Sequence, residues 1–388
     1  TAPQLQSLIE HALQGNTDLQ SAHWRIKEAE ATLSSARLAY LPSFMLTPQG
    51  GVSSFDKSKG SWTYTGIASA SWEIDIFGKL YLQSLEYEQA VTTSLIANVA
   101  NMYYTLLMLD AQYNVSAETA VKWRESVKTM RAMKAAGMTD EAGVAQTEAN
   151  CYMVEASLLD IRQQVREVEN SLSILLGDVP DAIDRGKLEG QEFPEELAIG
   201  VPLQLLSRRP DVKSAELSLA QAFYGTNAAR SAFYPSITLG GTAGWTNSAG
   251  SMIINPGKLL LSAVGSLTQP LFNKGLNMAQ LKIAKAQQEE AKLSFQQALL
   301  NAGSEVNNAL TQVQVARDKT ELRDGQISSL ETAVRSTQLL MRHGNSTYLE
   351  VLTAQQSLLS AQLTQIADRF DEIQGIINLY QALGGGRE

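Results

Sequence analysis

The chain has 388 residues, a length that would allow two or three ordinary domains, and its formal net charge is −9. The negative charge argues against a nucleic-acid surface, and the absence of any run of about 18 apolar residues excludes a transmembrane helix. One cysteine, Cys151, and three histidines leave little for metal or nucleophilic chemistry, so Cys151 is expected to be a buried free thiol. Thr1 lies in polar, helix-like sequence, as expected of a mature or trimmed chain without a signal peptide.

Helical sequence at the start of the chain gives way to a predicted β-hairpin at residues 43–77. From Trp62 onward, even-numbered positions are mostly apolar and odd-numbered positions mostly polar. This period of two is typical of a strand with one apolar face. Phe44, Leu46 and Val52 predict a weaker partner strand.

A long helix follows over residues 79–135, and its apolar residues recur in sevens, as they do in a coiled coil. Its predicted seam is Val99, Leu106, Tyr113, Ala120 and Val127, with Met102, Leu109, Trp123 and Met130 as companions. A turn near Gly137 then reverses the chain into a return helix that ends at Gly177.

The second half of the chain repeats the first. Residues 37–43 (RLAYLPS) return as residues 230–236 (RSAFYPS) at an offset of 193. Residues 133–144 return as residues 341–351 at an offset of about 207. The sequence therefore predicts two tandem structural repeats, at 1–177 and 202–384, with an inter-repeat linker at 178–201 and a tail at 385–388.

The second repeat predicts the same elements as the first. It has a β-hairpin at 236–272, a long helix from about Gly275 to Met341, a tip turn near Gly344 and a return helix at about 349–383. The heptad seam of its long helix is Leu299, Val306, Val313, Thr320, Ile327, Val334 and Met341, with Ala302, Ala309, Ala316, Arg323, Leu330 and Thr337 as companions.

The predicted strands run to about 11–16 residues, longer than the globular norm of about 5–6. They are long enough to cross a bilayer, which takes about 9–11 tilted residues. A soluble sheet packed on helices would account for the pattern equally well. If the strands span a membrane, several chains must share one barrel, because four strands cannot close a barrel and the smallest membrane barrels have about eight.

Three stretches of the chain resemble one family, the TolC-like outer-membrane efflux proteins. Residues 71–79 (SWEIDIFGK) resemble its strand-to-helix junction, residues 208–212 (RRPDV) the start of its second repeat, and residues 344–356 (GNSTYLEVLTAQQ) its second periplasmic hairpin. The resemblance covers essentially the whole chain. One departure is that the chain is about a dozen residues shorter than the family pattern after Gly78, and a segment absent between about Gly78 and Leu82 would account for it.

The resemblance implies a mainly α fold with β structure: a homotrimer whose pooled strands form a 12-stranded outer-membrane β-barrel, continued by a long α-helical periplasmic tunnel. It implies an exit duct of a tripartite efflux pump, which passes drugs or other small molecules from an inner-membrane transporter and a periplasmic adaptor (a membrane fusion protein) to the outside. The implied location is the outer membrane, with its lipid around the barrel. The family's lipidated N-terminal cysteine would precede Thr1, so lipid anchoring stays open.

The resemblance also assigns roles to residues. Glu350 stands where relatives place an acidic pore-gate residue, and three copies would form a ring that favours cations. The alternative is a solvated glutamate that the helix dipole favours. Thr353 stands where a second acidic residue is common, and Ser346 replaces a gate arginine. The region predicted to form the tips and to meet the adaptor comprises Gly137, Thr139, Asp140, Glu141, Gly344 and Ser346.

The remaining candidate residues lie at the first tip, in the predicted barrel and at the start of the second repeat. Asp140 and Glu141 are either a second acidic collar or ordinary helix-start residues. Glu73 and Asp75 lie on the polar face of their strand and are expected to face the lumen. The structural signature is Arg208, Arg209, Pro210 and Asp211, with the last two as a helix-start signal.

The sequence contains no constellation typical of an enzyme, and no cofactor, metal or nucleic-acid partner is predicted. It has no HExxH, CxxC or GxSxG motif and no phosphate-binding glycine loop. A soluble coiled-coil scaffold with small hairpins remains an alternative. Within the family, a type I secretion duct or a metal-ion efflux duct is a further alternative.

Overall fold

The computed structural model contains helices and one small sheet. The residues it describes are 3–38, 41–53, 61–73, 83–189, 191, 209–246, 259–268, 273–343 and 347–385. In chain order, the elements within these ranges are α1 (Pro3–Gly15), α2 (Thr17–Leu38), β1 (Ser43–Ser53), β2 (Ser61–Glu73), α3 (Gln83–Ala135), α4 (Glu141–Leu176), α5 (Pro210–Ser231), β3 (Ser236–Thr246), β4 (Leu259–Thr268), α6 (Leu276–Arg342) and α7 (Tyr348–Ala382). Among the described residues, no helix is both long and apolar enough to cross a bilayer.

Contacts between residues divide the chain into two units, and each unit takes segments from both halves of the sequence. The helical unit comprises Thr1–His23, Tyr87–Lys213 and Ala298–Glu388, and the sheet unit comprises Trp24–Glu86 and Ser214–Gln297. The repeat boundaries predicted from the sequence run along the chain and remain predictions.

The main core of the helical unit is formed by α1, α3, α4 and α7. Its buried residues include Tyr103, Leu106 and Leu107 of α3, Leu172 of α4 and Ile373 of α7. Burying a side chain of this size contributes about 1.5–3 kcal/mol. The predicted seam of α3 is confirmed at its buried members, which are Val99, Leu106, Leu109, Ala120, Trp123 and Met130.

A second buried cluster joins α3, α4 and α7 and is called the tip cluster here. It consists of Ala120, Trp123, Cys151, Val154, Leu352 and Leu359. Cys151 is a buried free thiol, as the sequence predicts. The cluster packs the beginning of α7 against the hairpin of α3 and α4.

The α6–α7 interface changes character along its length. Between residues 302 and 316 the seam of α6 is small and apolar, and its buried members are Ala302, Val306, Ala309, Val313 and Ala316. Farther along, Arg317 pairs with Glu372 and Arg323 pairs with Asp368, each at 2.9 Å. Both carboxylates are buried, so the predicted seam continues at Arg323 as an ion pair.

The segment that follows α4 is tied to the helical unit through Arg185. This guanidinium binds both carboxylate oxygens of Asp110, at 2.6 and 3.1 Å, and the buried Glu169 at 2.6 Å. The backbone N–H of Gly186 donates to the Tyr103 hydroxyl at 3.2 Å. The described part of the predicted linker therefore rests on α3 and α4.

The sheet unit contains one antiparallel sheet of four strands in the order β1-β2-β3-β4. Leu46 pairs with Ala68, Ala68 with Ala243, and Ala243 with Leu261, so one row across all four strands is apolar. Paired residues share a face of a sheet. The exposed apolar residues on this face include Phe44, Leu46, Leu239, Trp245 and Leu261. The adjacent row crosses Met45, Ser69, Thr242 and Ser262 and is mostly polar. The predicted alternation is therefore confirmed.

Gly375 permits the close approach of α7 to α6, and Gly375→Ala should weaken the packing between these two helices. An added Cβ would lie 2.7 Å from Val313 Cγ2 and 3.2 Å from the Val313 backbone nitrogen. Overpacking of this kind costs about 1–3 kcal/mol, more than the ~1 kcal/mol that alanine gains over glycine in a helix. We expect Gly375→Ala to lower the thermal unfolding midpoint of the protein in detergent. Gly325→Ala, at a helical glycine with open space around its Cα, is the control and should raise the midpoint slightly.

Candidate functional site: the tips of the helical hairpins

The first hairpin turns at Gly137. The backbone N–H of Gly137 donates to Lys134 O and that of Met138 to Met133 O, both at 2.9 Å. These two bonds form a Schellman motif, which places Gly137 in the left-handed region at φ 73°. Gly137 therefore ends α3 at the position where the sequence predicts a tip turn.

The return helix α4 begins at a side-chain cap. Asp140 has an extended backbone, and its carboxylate accepts a 2.9 Å hydrogen bond from the Gly143 N–H. Glu141 follows in the first turn and pairs with Lys134 at the end of α3. Thr139 lies beside Gly143, where an added Cβ would be 2.9 Å from the Thr139 hydroxyl. These contacts explain Asp140 and Glu141 as helix-start residues, and a collar role for them remains a prediction.

In the second hairpin, Gly344 and Ser346 lie outside the described residues, and the description continues from Thr347. Glu350 occupies the first turn of α7 and is exposed. The Thr353 hydroxyl donates to Leu349 O at 2.9 Å, and its side chain is also exposed. At about 100° per residue, Glu350 and Thr353 share one face of the helix. The two predicted gate residues therefore lie together on an exposed face of α7.

Tyr348 lies in the first turn of α7, on the face opposite Glu350, and the sequence analysis did not single it out. Its ring packs against the tip cluster, and its hydroxyl makes side-chain hydrogen bonds with Ser126 of α3 and Thr147 of α4. Burial raises the pKa of Tyr348, and the two hydrogen bonds oppose that shift. The only signal in the sequence was a tyrosine at a helix start, which does not reveal partners some 200 residues away.

Ion pairs line the exposed side of the first hairpin. Arg124 pairs with Glu155 at 2.6 Å, Arg131 with Glu148 at 2.7 Å, and Lys134 with Glu141. Because the basic side chains are about half exposed or more, each pair contributes about 1 kcal/mol at most. Their contribution to stability is small beside that of the tip cluster.

The structural signature forms a separate cluster around Arg209; Arg208 lies outside the described residues. Arg209 is buried and binds Asp211 through two hydrogen bonds of 2.9 and 2.8 Å. It also binds Glu305 of α6 at 2.6 Å and Ala382 O at the end of α7 at 3.0 Å. Burial opposes ionisation of Asp211, but the Arg209 guanidinium outweighs it and lowers the pKa of that carboxyl. Pro210 opens α5, as the sequence predicts.

The remaining predicted residues are only partly described. The backbone of Glu73 pairs with that of Thr238 in the sheet, and Asp75 lies outside the described residues. Among the described residues, no group of three or more histidine, cysteine, aspartate or glutamate side chains is arranged to hold a metal ion.

The comparisons with known proteins agree with this architecture. The chain matches the Outer membrane efflux protein family over residues 8–178 and 201–385. It is 29% identical over 401 residues to the cation efflux system protein CusC of Escherichia coli O6:H1, covering 99% of this chain and 86% of that protein. It is 28% identical over 410 residues to the toluene efflux pump outer membrane protein TtgC of Pseudomonas putida, covering 99% and 83%. A crystal structure of CusC superposes with a TM-score of 0.91 at 27% identity, covering 99% of this chain and 92% of that one.

The chain belongs to the outer membrane efflux protein family, because the match spans most of its length. It is accordingly an outer-membrane transport protein, and the predicted resemblance is confirmed. Both relatives are efflux proteins by name, which is consistent with the absence of a predicted catalytic site and counts against the scaffold alternative.

Asp140→Ala should loosen the first turn of α4. The substitution removes the acceptor for the Gly143 N–H, and loss of such a cap costs about 1 kcal/mol. We expect faster hydrogen exchange confined to residues 141–147. Asp140→Asn keeps an acceptor oxygen and should exchange as the native protein does; equal exchange in both variants would contradict the assignment of the cap.

Arg209→Lys should destabilise the helical unit, because an ammonium group cannot reproduce the fork that binds Asp211, Glu305 and Ala382 O together. The partners are half exposed, so we expect a loss of about 2 kcal/mol in the free energy of unfolding. Arg131→Lys, in an exposed pair, is the matched control and should change stability by less than about 0.5 kcal/mol. Thermal unfolding in detergent measures both.

Proposed function

We infer that the protein is one protomer of a homotrimeric exit duct of a tripartite efflux pump. The observation that carries this inference is the sheet, whose exposed apolar face suits a lipid environment and whose edge strands β1 and β4 each pair with only one strand within the described chain. Lipid cannot satisfy the backbone groups of an open edge, so a spanning sheet must close. Three chains of four strands supply twelve, an even number within the range of membrane barrels.

The long helices support a tunnel continuous with that barrel. The helix α6 has 67 residues and α3 has 53, and both carry heptad seams. The two return helices also end alike, since Gly177 and Gly384 both adopt positive φ and close the same pair of backbone hydrogen bonds. This agreement supports the two tandem repeats, which would give each protomer two similar hairpins in the tunnel wall.

The tips of these hairpins are the proposed site for both the gate and the adaptor. Glu350 is exposed in the first turn of α7, and threefold symmetry would bring three copies around one axis. A ring of carboxylates at a constriction attracts cations and repels anions. A periplasmic adaptor and an inner-membrane transporter are the partners that the family relationship favours, with the adaptor at the tip region.

The cargo is proposed only as a class, drugs or other small molecules delivered by the partner transporter. The two relatives differ in what their names say they export, cations for CusC and toluene for TtgC. Their identities to this chain are nearly equal, at 29% and 28%. Overall similarity therefore does not favour one cargo, which is consistent with selection by the transporter.

Single-channel recording in planar bilayers tests the duct and its gate together. The wild-type protein should insert from detergent and carry small, cation-selective currents. Glu350→Gln removes the ring charge at almost constant volume, so cation selectivity should fall several-fold while insertion is unchanged.

Glu141→Gln is the matched control, because Glu141 is also an exposed glutamate in the first turn of a tip helix and belongs to the other hairpin. Loss of selectivity in Glu141→Gln alone would move the constriction to the first hairpin. No insertion at all would contradict the duct.

A further inference from the structure

Acidic residues are missing from the part of the sequence that carries the second β-hairpin. The chain has 40 aspartates and glutamates among its 388 residues, yet none lies between Glu216 and Glu289. This acid-free stretch covers most of α5, the strands β3 and β4, and the first turns of α6. Its charged residues are all basic, namely Arg230, Lys258, Lys274, Lys282 and Lys285. The second hairpin therefore lies in a positively charged stretch of a chain whose net charge is negative.

The basic side chains of this stretch that the structure describes are exposed and have no carboxylate partner. Arg230, Lys274, Lys282 and Lys285 are exposed, and within the described residues none of the four forms an ion pair. Arg230 donates to the neutral amide oxygen of Asn227 at 3.3 Å. By contrast, the arginines described above in the helical unit bind carboxylates of the same chain. The charge of the acid-free stretch is thus open to a partner outside the chain.

Two of these basic residues lie where the chain enters and leaves the sheet. Arg230 is in the last turn of α5, shortly before β3, and Lys274 stands between β4 and α6. The Asn277 side chain donates to Ala232 O at 3.0 Å, which joins the start of α6 to the segment after α5. Arg230 and Lys274 each lie within one helical turn of this contact along the sequence. Both charges therefore belong to the same end of the β3–β4 hairpin.

Lys274 adopts a backbone conformation in which lysine is uncommon. It is the one non-glycine residue with positive φ, 49°, in the described part of the chain, and Gly275 follows with φ 78°. The Leu276 N–H donates to Asn273 O at 2.8 Å across these two residues. Two consecutive residues with positive φ inside such a bond are the pattern of a type I′ turn, in which asparagine and glycine are preferred. Turn chemistry therefore does not account for a lysine here, and its charge is the feature to explain.

Large apolar side chains are exposed beside these charges. Tyr234 is 70% exposed and Leu276 is 50% exposed. The sheet that follows carries the exposed apolar face with Leu239 and Leu261. Tyrosine is enriched at membrane interfaces, where its ring lies at the level of the lipid headgroups, and long basic side chains reach toward the lipid phosphates. The junction thus combines the residue types that suit an anionic membrane surface.

The first repeat has basic residues at the corresponding positions of the sequence. Arg37 and Arg230 stand at matching positions ahead of the two hairpins, and Lys79 and Lys274 at matching positions after them. Basic residues at both junctions of a duplicated segment support a role for the charge itself. Lys79 lies outside the described residues, so the inference concerns only the second repeat.

We propose that Arg230, Tyr234 and Lys274 form a binding surface for the phosphate groups of anionic glycerophospholipids, on the face of the membrane from which the helices extend. We call these three residues the junction patch. This inference rests on the proposed function, because it takes the sheet to span a membrane. The two cations attract the headgroups, and the tyrosine ring lies among them beside the apolar face of the sheet. Threefold symmetry would repeat the patch around the barrel.

The test reconstitutes the full chain into phosphatidylcholine vesicles with a trace of spin-labelled lipid, either phosphatidylglycerol or phosphatidylcholine. Electron paramagnetic resonance measures the fraction of each labelled lipid that the protein surface immobilises, and the ratio of the two fractions gives the lipid preference. The variants are Arg230→Gln, Lys274→Gln, their combination, and Lys274→Arg, which keeps the charge. Lys292→Gln is the matched control, because Lys292 is an exposed lysine of α6 outside the acid-free stretch and pairs with Glu289 at 3.6 Å.

We expect the wild type to prefer phosphatidylglycerol about two- to fivefold, because one basic residue near an anionic surface changes lipid association by up to about fivefold. Each glutamine substitution should remove part of this preference, and the double variant should remove nearly all of it. Lys274→Arg and Lys292→Gln should match the wild type. Raising the salt concentration should weaken the wild-type preference, since salt screens exposed charges.

The outcomes separate this inference from the proposed function. If the wild type immobilises both lipids equally, the sheet spans the membrane and the junction patch is wrong. A double variant that keeps the full preference also contradicts the patch. If the double variant keeps the lipid preference but changes the ion selectivity of single-channel currents, the two cations line the lumen and the inference is overturned. If the wild type immobilises no lipid, the proposed duct fails as well. Should the double variant not assemble, the single variants and Lys274→Arg decide.

Discussion

The open edges of the four-stranded sheet are the constraint on which the rest of the proposed assembly depends. A sheet edge presents unpaired backbone N–H and C=O groups, and neither lipid nor an apolar face can satisfy them. Register aligns the apolar residues of all four strands on one exposed face, so the sheet cannot bury that face within the described chain either. The proposed trimer would solve both problems together, because β1 of one copy would pair with β4 of the next around a closed ring.

Packing within the helical unit shows how long helices keep their register without large side chains. Alanine and valine in the seam of α6 let α7 approach closely, and Gly375 makes the approach closer still. Small residues alone would tolerate sliding, because one alanine fits where another did. The buried carboxylates of Asp368 and Glu372 reduce that tolerance, since a slip of one turn would separate Asp368 from Arg323 and Glu372 from Arg317. Apolar packing supplies the stability of this interface, and ion pairs select its register.

Sequence reasoning succeeded where the signal was local or periodic. Alternation predicted the four strands, and the heptads predicted the seams. Gly137 predicted the end of one helix, and Pro210 predicted the start of another. It did not identify Arg323 as an ion-pair residue, because a heptad position specifies a neighbouring helix but not the side chain opposite. Tyr348 was not identified for the same reason: its partners Ser126 and Thr147 are ordinary residues of other helices, and only folding brings them together. Long-range pairing of polar groups leaves little trace in a single sequence.

The geometry of one helical turn explains how Tyr348 and Glu350 can be neighbours in sequence yet differ in environment. Residues two apart on an α-helix point about 200° apart, so Tyr348 and Glu350 occupy opposite faces of α7. The buried face needs a neutral group, since an unpaired charge there would be costly, whereas the exposed face, which is the proposed pore face, can carry a charge in contact with water. Tyr348 continues along its face to Leu352 of the tip cluster, and Glu350 continues along its face to Thr353. The period of the helix therefore separates a buried, neutral face from an exposed, charged face within a single turn.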